Sequence, residues 1–380
     1  MENTPMIVQA LVAPLSIGGI SAVLGALITI TDKIVNNYGE LVVDINSGKR
    51  ELNIKGGAPL LQTLAESGIF VPSACGGRGS CGACKVKVLT DIGPHLPTEV
   101  PYLEKEEMQE NVRLSCQVKV KEDLQIEIPE ALFNVQEFEG TVERIRDVTH
   151  DIKEVYIKLP EDKEVSFVCG QYGQLEVPPY EKVKSPTQRA YSMSSPPSDR
   201  NHLEFLVRLV PGGIVTSYVH NYMEEGQRVK VIAPFGEFNV KDTGATMICV
   251  AGGSGMAPFK GIFQHMIETG EIETRDIWYF FGARTKRDMF YLDWLYSLDE
   301  KYEKFHFVPA LSEPQPEDDW NGPTGLITEV LAEYLQDKIG QAPEELEGYL
   351  CGSPGMLDAC MAVMRKFEMN EDKIYFDKFA

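Results

Sequence analysis

The chain has 380 residues, of which 43% are hydrophobic and 24% are charged, and its formal net charge is −21 at pH 7. This length excludes a single small domain and predicts two or three compact domains with hydrophobic cores. The strong negative charge repels nucleic acid and anionic membrane surfaces, so we expect no nucleic acid among the partners.

The first 34 residues are predicted to form a transmembrane anchor. Residues 7–30 are almost wholly apolar or small, and no charged side chain occurs between residues 3 and 31. A helix of about 20 such residues spans a bilayer and contacts its lipid. A cleaved signal peptide is the alternative, but no basic segment precedes the apolar run. Lys33 is the nearest basic residue, and it favours a cytoplasmic position for the rest of the chain.

Short strands around a cysteine-rich loop are predicted in the next part of the chain. Residues 40–45 and 49–55 have the pattern of a β-hairpin, with Asn46, Ser47 and Gly48 as its turn. An amphipathic helix is predicted at residues 58–68, where Gly68 ends it. Two further strands are predicted at residues 85–90 and 123–128.

The pattern then changes twice along the chain. Several short strands at regular spacing predict a small antiparallel β-barrel, with strands at 139–148, 151–159, 173–178, 203–210 and 228–234. Beyond residue 246, strands alternate with helices, which predicts a parallel sheet covered by helices. Strands are expected at 247–253, 276–283, 304–311 and 348–352, and helices at 258–270, 288–298, 326–335 and 355–367.

Four cysteines are candidate ligands of a metal cluster. Cys75, Cys81 and Cys84 have Cys-x5-Cys-x2-Cys spacing in a glycine-rich loop, and Cys116 follows at a distance. Four thiolates suffice for a [2Fe–2S] cluster, and glycines let the loop adopt positive φ and direct N–H groups at sulfur. A structural zinc site is the alternative, but it usually has two Cys-x2–4-Cys pairs. Only one such pair is present, which favours the cluster.

Arg189, Tyr191 and Ser192 form a candidate flavin site at the end of a barrel strand. They offer a cation for the pyrophosphate, an aromatic wall for the ring system and a hydroxyl near flavin N5. An ordinary strand is the alternative for so short a motif. Residues 211–217 favour the flavin, because their glycines and hydroxyls enter a helix whose N-terminus suits a phosphate.

A second glycine-rich turn, from Gly252 to Pro258, follows a predicted strand and opens a helix. This position suits the pyrophosphate of a dinucleotide, although Pro258 replaces the third glycine of the Rossmann fingerprint. Cys351 and Gly352 follow the last predicted strand, where a small thiol would border a nicotinamide ring. The alternative for Cys351 is a buried core cysteine.

These motifs, in this order, resemble NqrF, the NADH-oxidising subunit of the sodium-translocating NADH:quinone oxidoreductases, which belongs to the ferredoxin–NADP reductase superfamily. The resemblance is carried by the segments CGGRGSCGACKV (with Cys116), RAYSMSS, PFGEF, GGSGMAP, FGARTKRDMFY, ALSEPQPEDDWNGPTG and YLCGSPGM. It implies an α+β multidomain protein with a transmembrane helix (1–34), a β-grasp ferredoxin domain (35–132), an antiparallel β-barrel FAD domain (133–241) and an α/β parallel-sheet NADH domain (242–380). The family typically has an insertion before the flavin motif, where this chain has only the short run 180–188.

The resemblance also implies a role for each candidate residue. The cluster ligands would be Cys75, Cys81, Cys84 and Cys116. The residues at the reacting centre would be Ser192, Cys351 and Phe379, the last of which would shield the flavin. FAD would be bound by Arg189, Tyr191, Ser192, Gly213, Val215 and Thr216. NADH would be bound by Gly252, Gly253, Ser254, Gly255, Met256, Ala257, Pro258, Gly282, Ala283, Arg284, Gly352 and Met356.

The implied protein is a single-pass NADH dehydrogenase of the cell inner membrane, with its catalytic body in the cytoplasm. Electrons would pass from NADH to FAD, to the [2Fe–2S] cluster and to membrane subunits of a redox complex. One alternative is the reductase component of an oxygenase, which has the same modules but is normally soluble. Another is a ferredoxin carrier whose remaining domains are vestigial. Arg284, Lys286 and Arg287 would suit the 2′-phosphate of NADPH. The preference for NADH over NADPH therefore rests on the resemblance alone.

Overall fold

The computed structural model describes residues 18–27, 29, 31 and 38–378, and the chain divides into two compact units. The first unit ends at Glu130, and the second takes Ala131–Ala380 together with the segment Pro72–Gly76. Residues 18–27 are helical. Among the residues described, no helix is both long and apolar enough to cross a membrane. Most of the predicted anchor, residues 1–34, lies outside the described residues.

The first unit contains a mixed five-stranded sheet in the order β2-β1-β5-β3-β4. Its strands are β1 Glu40–Ile45, β2 Arg50–Lys55, β3 Lys85–Val88, β4 Val112–Leu114 and β5 Leu124–Glu127, and its helices are α1 Leu60–Glu66 and α2 Lys105–Gln109. The predicted β1–β2 hairpin is present. Its turn residues Asn46, Ser47 and Gly48 all have positive φ, which short polar residues and glycine tolerate best.

The second unit begins with a six-stranded antiparallel sheet in the order β10-β7-β6-β11-β8-β9. Its strands are β6 Gln136–Asp147, β7 Ile152–Lys158, β8 Tyr172–Val177, β9 Thr187–Ser192, β10 His202–Arg208 and β11 Arg228–Phe235. A bridge between Met193 and Phe205 joins the two edge strands, so the sheet curls into a barrel around an apolar core. Helix α3, Ile214–Asn221, packs on β8 and β9.

The second unit continues with a parallel sheet in the order β14-β13-β12-β15-β16, as the alternating pattern predicted. Its strands are β12 Thr246–Gly252, β13 Ile277–Ala283, β14 Phe305–Leu311, β15 Leu346–Gly352 and β16 Ile374–Lys378. Its helices are α4 Met256–Thr269, α5 Leu292–Lys301, α6 Ile327–Asp337 and α7 Pro354–Lys366.

Two details of this sheet differ from the sequence-based expectation. The helix predicted at residues 288–298 begins only at Leu292, because Phe290 turns into the core and Tyr291 adopts a φ of 57°. Strand β16 was not predicted at all. It pairs with β15 along the sheet edge and brings the C-terminal segment beside Cys351.

A buried ion network fastens the barrel to the parallel sheet. Lys260 on α4 lies 3.3 Å from Glu154 of β7 and also bonds Glu204 of β10. Burial alone would raise the pKa of Glu154, but the hydrogen bond from Arg146 and the charge of Lys260 lower it to about 2. The buried carboxylate therefore stays ionised, and the network holds the two halves of this unit in one arrangement.

Candidate functional site

The cysteine-rich loop has the backbone geometry that its glycines predicted. Gly76, Gly77, Gly79 and Gly82 all have positive φ, a region that other residues enter only with strain. Cys75 and Cys84 are buried, and Cys81 is half-buried. Cys75 belongs to the segment Pro72–Gly76, which clusters with the second unit.

Cys84 and Cys116 are brought together by the pairing of β3 with β4, which sets Lys85 opposite Leu114. Their thiols are hydrogen-bonded to each other. The bond from Cys84, followed by that from Gln117, lowers the pKa of Cys116 to about 6, whereas the shared proton raises the pKa of Cys84. A sulfur that already collects hydrogen bonds suits a thiolate ligand.

The donor set agrees with a two-iron cluster in its chemistry. Within the described ranges, no three Cys, His, Asp or Glu side chains are gathered closely enough to hold one metal ion. A [2Fe–2S] cluster, however, is ligated by four cysteines shared between two irons. The thiol pair and the positive-φ loop are therefore features that such a cluster can use.

The candidate flavin residues lie on β9 and on the helix that covers it. Arg189 and Tyr191 are half-buried, and Ser192 is buried at the end of the strand, opposite Tyr172. Helix α3 begins after Gly213 and packs on β9. A cation and a helix N-terminus on neighbouring elements are what a pyrophosphate requires.

The turn before α3 explains its sequence. The hydroxyl of Thr216 bonds both the N–H and the carbonyl of Val210, so it fixes the turn and leaves only its backbone N–H for a ligand. A Cβ at Gly213 would lie 2.5 Å from that hydroxyl, so glycine is required there. Val215 is buried, so only its backbone is available to a ligand.

Ser192, Cys351 and Asp377 form a group that the sequence alone did not assemble. The Ser192 hydroxyl donates to the Asp377 carboxylate at 2.7 Å, and Asp377 stands opposite Cys351 in the β15–β16 register. Burial raises the pKa of Asp377, and the Ser192 bond opposes that shift. Burial also raises the pKa of Cys351, so its thiol stays protonated. Phe379 lies outside the described residues.

Glycines line the carboxyl ends of three adjacent parallel strands. Gly252 of β12 stands opposite Gly282 of β13, and Gly352 ends the neighbouring strand β15. A Cβ at Gly255 would lie 2.2 Å from the carbonyl oxygen of Cys351, so the turn after β12 approaches β15 at backbone distance. The carboxyl ends of parallel strands are where nucleotides bind in such sheets.

The remaining nucleotide candidates differ in what they can offer a ligand. Met256, Ala257 and Pro258 are buried in the core, so only their backbone is available. Met356 packs over the strand-end glycines, and Arg284 is exposed after β13. Lys286 already donates to the carbonyl of Asp318 at 3.0 Å. The side chains of Ser254 and Ala283 are half-buried at the same strand ends.

Arg208 at the end of β10 is a further cation that sequence reasoning missed. Its Nη1 lies 3.5 Å from the Cβ position of Gly253, and its Nε donates to Asp151 at 2.9 Å. The β10 segment carries no motif that marks this arginine, and only the packing of the barrel on the parallel sheet places it at the glycine-rich turn.

Three domain families match the chain in succession. Residues 43–121 match the 2Fe-2S iron-sulfur cluster binding domain, residues 139–240 match the oxidoreductase FAD-binding domain, and residues 249–362 match the oxidoreductase NAD-binding domain. The chain therefore contains domains for the [2Fe–2S] cluster, FAD and NAD, as the motifs predicted.

Two solved structures match most of the chain. A cytochrome P450 reductase from Amycolatopsis is 26% identical, with a TM-score of 0.71 over 89% of this chain and 98% of its own. The ferredoxin reductase in carbazole 1,9a-dioxygenase is also 26% identical, with a TM-score of 0.67 over 90% of this chain and 99% of its own.

Sequence relatives are more similar still. The NqrF protein of the Na+-translocating NADH-quinone reductase of Marinomonas sp. is 39% identical, over 90% of this chain and 91% of its own length. The NqrF proteins from Neisseria meningitidis and Pseudomonas paraeruginosa are 36% and 37% identical, over 94% and 96% of this chain and 96% and 98% of their own lengths. The chain belongs to the NqrF family of Na+-translocating NADH-quinone reductase subunits, and it is an NADH oxidoreductase with FAD and [2Fe–2S] domains.

Proposed function

We propose that this chain passes electrons from NADH through FAD and a [2Fe–2S] cluster to a membrane partner, as the NADH-oxidising subunit of a sodium-translocating NADH–quinone reductase. The observation that carries the proposal is the meeting of Ser192, Cys351 and Asp377 beside the glycine-lined strand ends. FAD takes two electrons from NADH as hydride and gives them up singly, which is why a one-electron cluster can follow it.

The residues of the chain then have positioning roles. Ser192 donates its only O–H to Asp377, so its oxygen can accept a further hydrogen bond from a ring bound against β9. Arg189 and the N-terminus of α3 would hold the pyrophosphate of FAD, and Tyr191 would pack against its isoalloxazine ring. The buried, protonated Cys351 would border the nicotinamide without competing for the hydride.

The remaining assignments complete the proposal. Gly252–Pro258 and Gly282–Arg284 would hold NADH, with Gly352 and Met356 closing the site. The cluster would be ligated by Cys75, Cys81, Cys84 and Cys116. Phe379 would cover the flavin. The proposed domains are residues 1–34, 35–132, 133–241 and 242–380.

We also propose that residues 1–34 anchor the protein in the inner membrane, with the catalytic body in the cytoplasm and other subunits of the complex beside it. The apolar run 7–30 supports this, and so do the relatives, whose names describe subunits of a sodium-translocating quinone reductase.

The experiment compares the full chain with a variant that lacks residues 1–34. The full chain should sediment with membranes, and the shortened one should be soluble while still binding FAD and oxidising NADH with a small artificial acceptor. Cys81→Ala in the shortened chain is the matched control, because it should remove iron and spare FAD. Zinc in place of iron, or loss of FAD on shortening, would overturn the proposal.

A reductase that serves an oxygenase is the second candidate. The solved oxygenase-system reductases that match nearly the whole chain favour it, although the NqrF relatives are more similar in sequence. The two candidates differ in the acceptor. Reduction of a quinone pool by membranes that contain the chain supports the first, and delivery only to a soluble terminal oxygenase supports the second.

A further inference from the structure

The sulfur of Cys116 has a side-chain donor that no motif assigns. Gln117, the next residue, directs its amide Nε2 at Cys116 Sγ over 3.4 Å. The backbone N–H of Gly79 also reaches this sulfur. All three residues belong to the first unit. The amide contact is a hydrogen bond to sulfur, a kind of interaction that tunes iron–sulfur centres.

The orientation of the amide is fixed by a second side chain. The hydroxyl of Thr98 donates to Gln117 Oε1 at 3.1 Å. An amide has one accepting end and one donating end, so holding the oxygen on Thr98 leaves the NH2 group for the sulfur. The reversed amide would put its oxygen beside a thiolate, which is repulsive. Repulsion from the thiolate therefore favours the orientation that donates, and Thr98 stabilises it by pairing with the amide oxygen.

The packing around Gln117 leaves it little freedom. A Cβ at Gly79 would lie 2.6 Å from Gln117 Nε2, so only glycine lets the amide lie against the loop. The segment that carries Thr98 is held by a buried ion pair, in which Arg113 Nη2 lies 2.7 Å from Glu99 Oε2. Glu99 also accepts a hydrogen bond from the backbone N–H of Leu114, the last residue of β4.

We propose that Gln117, oriented by Thr98, is a positioning residue that raises the reduction potential of the cluster by donating an N–H to the Cys116 sulfur. This inference rests on the proposed ligation by Cys116. On reduction one electron enters the cluster, no atom leaves it and its negative charge grows. The N–H bond is therefore stronger in the reduced state, which favours electron transfer from the flavin to the cluster.

The test measures the midpoint potential of the cluster in the full chain by an EPR-monitored redox titration, after iron has been counted. Gln117→Leu removes the donor at similar volume. It should lower the one-electron equilibrium constant by about tenfold, which corresponds to about 59 mV. Thr98→Val, which frees the amide to rotate, should shift the potential in the same direction but less. Thr98→Ser keeps the hydroxyl and should match the wild type.

The outcomes separate this inference from the proposed function. A wild-type chain without iron contradicts the proposed function. A Gln117→Leu chain with full iron content and the wild-type midpoint contradicts only the role of Gln117. If Gln117→Leu fails to retain iron, Thr98→Val decides, because a lower midpoint in that variant supports the role and an unchanged midpoint overturns it.

Discussion

The bond between Ser192 and Asp377 gives the most specific prediction about the NADH half-reaction. Its 2.7 Å length and its carboxylate acceptor make it a charge-assisted hydrogen bond, a type worth about 1.5–3 kcal/mol. If it holds the Ser192 oxygen toward the flavin in the transition state, its loss should slow flavin reduction by about 10- to 150-fold. Ser192→Ala removes the bond, and Asp377→Asn leaves Ser192 only a neutral acceptor in place of the carboxylate.

The assay is stopped-flow bleaching of the flavin by NADH, with FAD saturating in every variant. The double variant is the decisive sample. Two residues that act as one unit should give a double variant hardly slower than either single variant, with a coupling energy of about 0.5–3 kcal/mol. Effects that add to within about 0.5 kcal/mol would refute the reasoning, because they would show that the residues act independently.

The pH dependence has a definite sign. Burial raises the pKa of Asp377 above its usual value, and only the ionised carboxylate is the charged acceptor that Ser192 needs. The wild-type rate should therefore fall as the pH is lowered through that raised pKa, and Asp377→Asn should not show this fall. When the pKa of a carboxyl is raised in the native state, its ionisation destabilises the folded protein. Asp377→Asn should therefore not lower the melting temperature at pH 8.

Further predictions concern the cofactor sites and the stability of the first unit. Arg189→Ala should weaken FAD by about 1.5–3 kcal/mol, seen as a higher Kd in a fluorescence titration, whereas the exposed Arg200→Ala should not change it; equal Kd values would contradict the pyrophosphate role. Glu99→Gln leaves Arg113 buried without its counter-charge, so the free energy of unfolding of the first unit, measured in urea, should fall by about 3–5 kcal/mol. Burial opposes ionisation of Glu99, but the Arg113 bonds lower its pKa, so the wild-type stability of that unit should be lost as the pH falls through the native pKa, and a flat profile would argue against the pair. Gly255→Ala places a methyl group 2.2 Å from a β15 carbonyl oxygen and should raise the KM for NADH, and an unchanged KM would show that this close approach does not shape the site.

The local sequence was sufficient wherever one short segment determines the structure. The β1–β2 hairpin, the positive-φ glycines of the cysteine loop and the alternating strands and helices of the parallel sheet were all predicted, since each follows from turn chemistry or periodicity. The predicted start of α5 was wrong. The helix begins only at Leu292, because the side chain of Phe290 is buried in the core.

What the sequence did not reveal depends on contacts between distant segments. Asp377 lies 185 positions after Ser192 and reaches it only because β16 adds to the sheet edge beside β15. Gln117 is next to a cluster ligand, but its role depends on Thr98, which comes from a different loop. No periodic pattern encodes such pairings, because they arise from tertiary packing.

The central claim is that electrons reach the flavin before the cluster. The most direct test is stopped-flow mixing of Cys116→Ala with NADH, after FAD content has been matched to the wild type. Hydride requires a two-electron acceptor, so the flavin of this variant should bleach at the wild-type rate while delivery to the membrane partner is abolished. If a variant that retains FAD and lacks the cluster no longer reduces its flavin, the proposed order is contradicted.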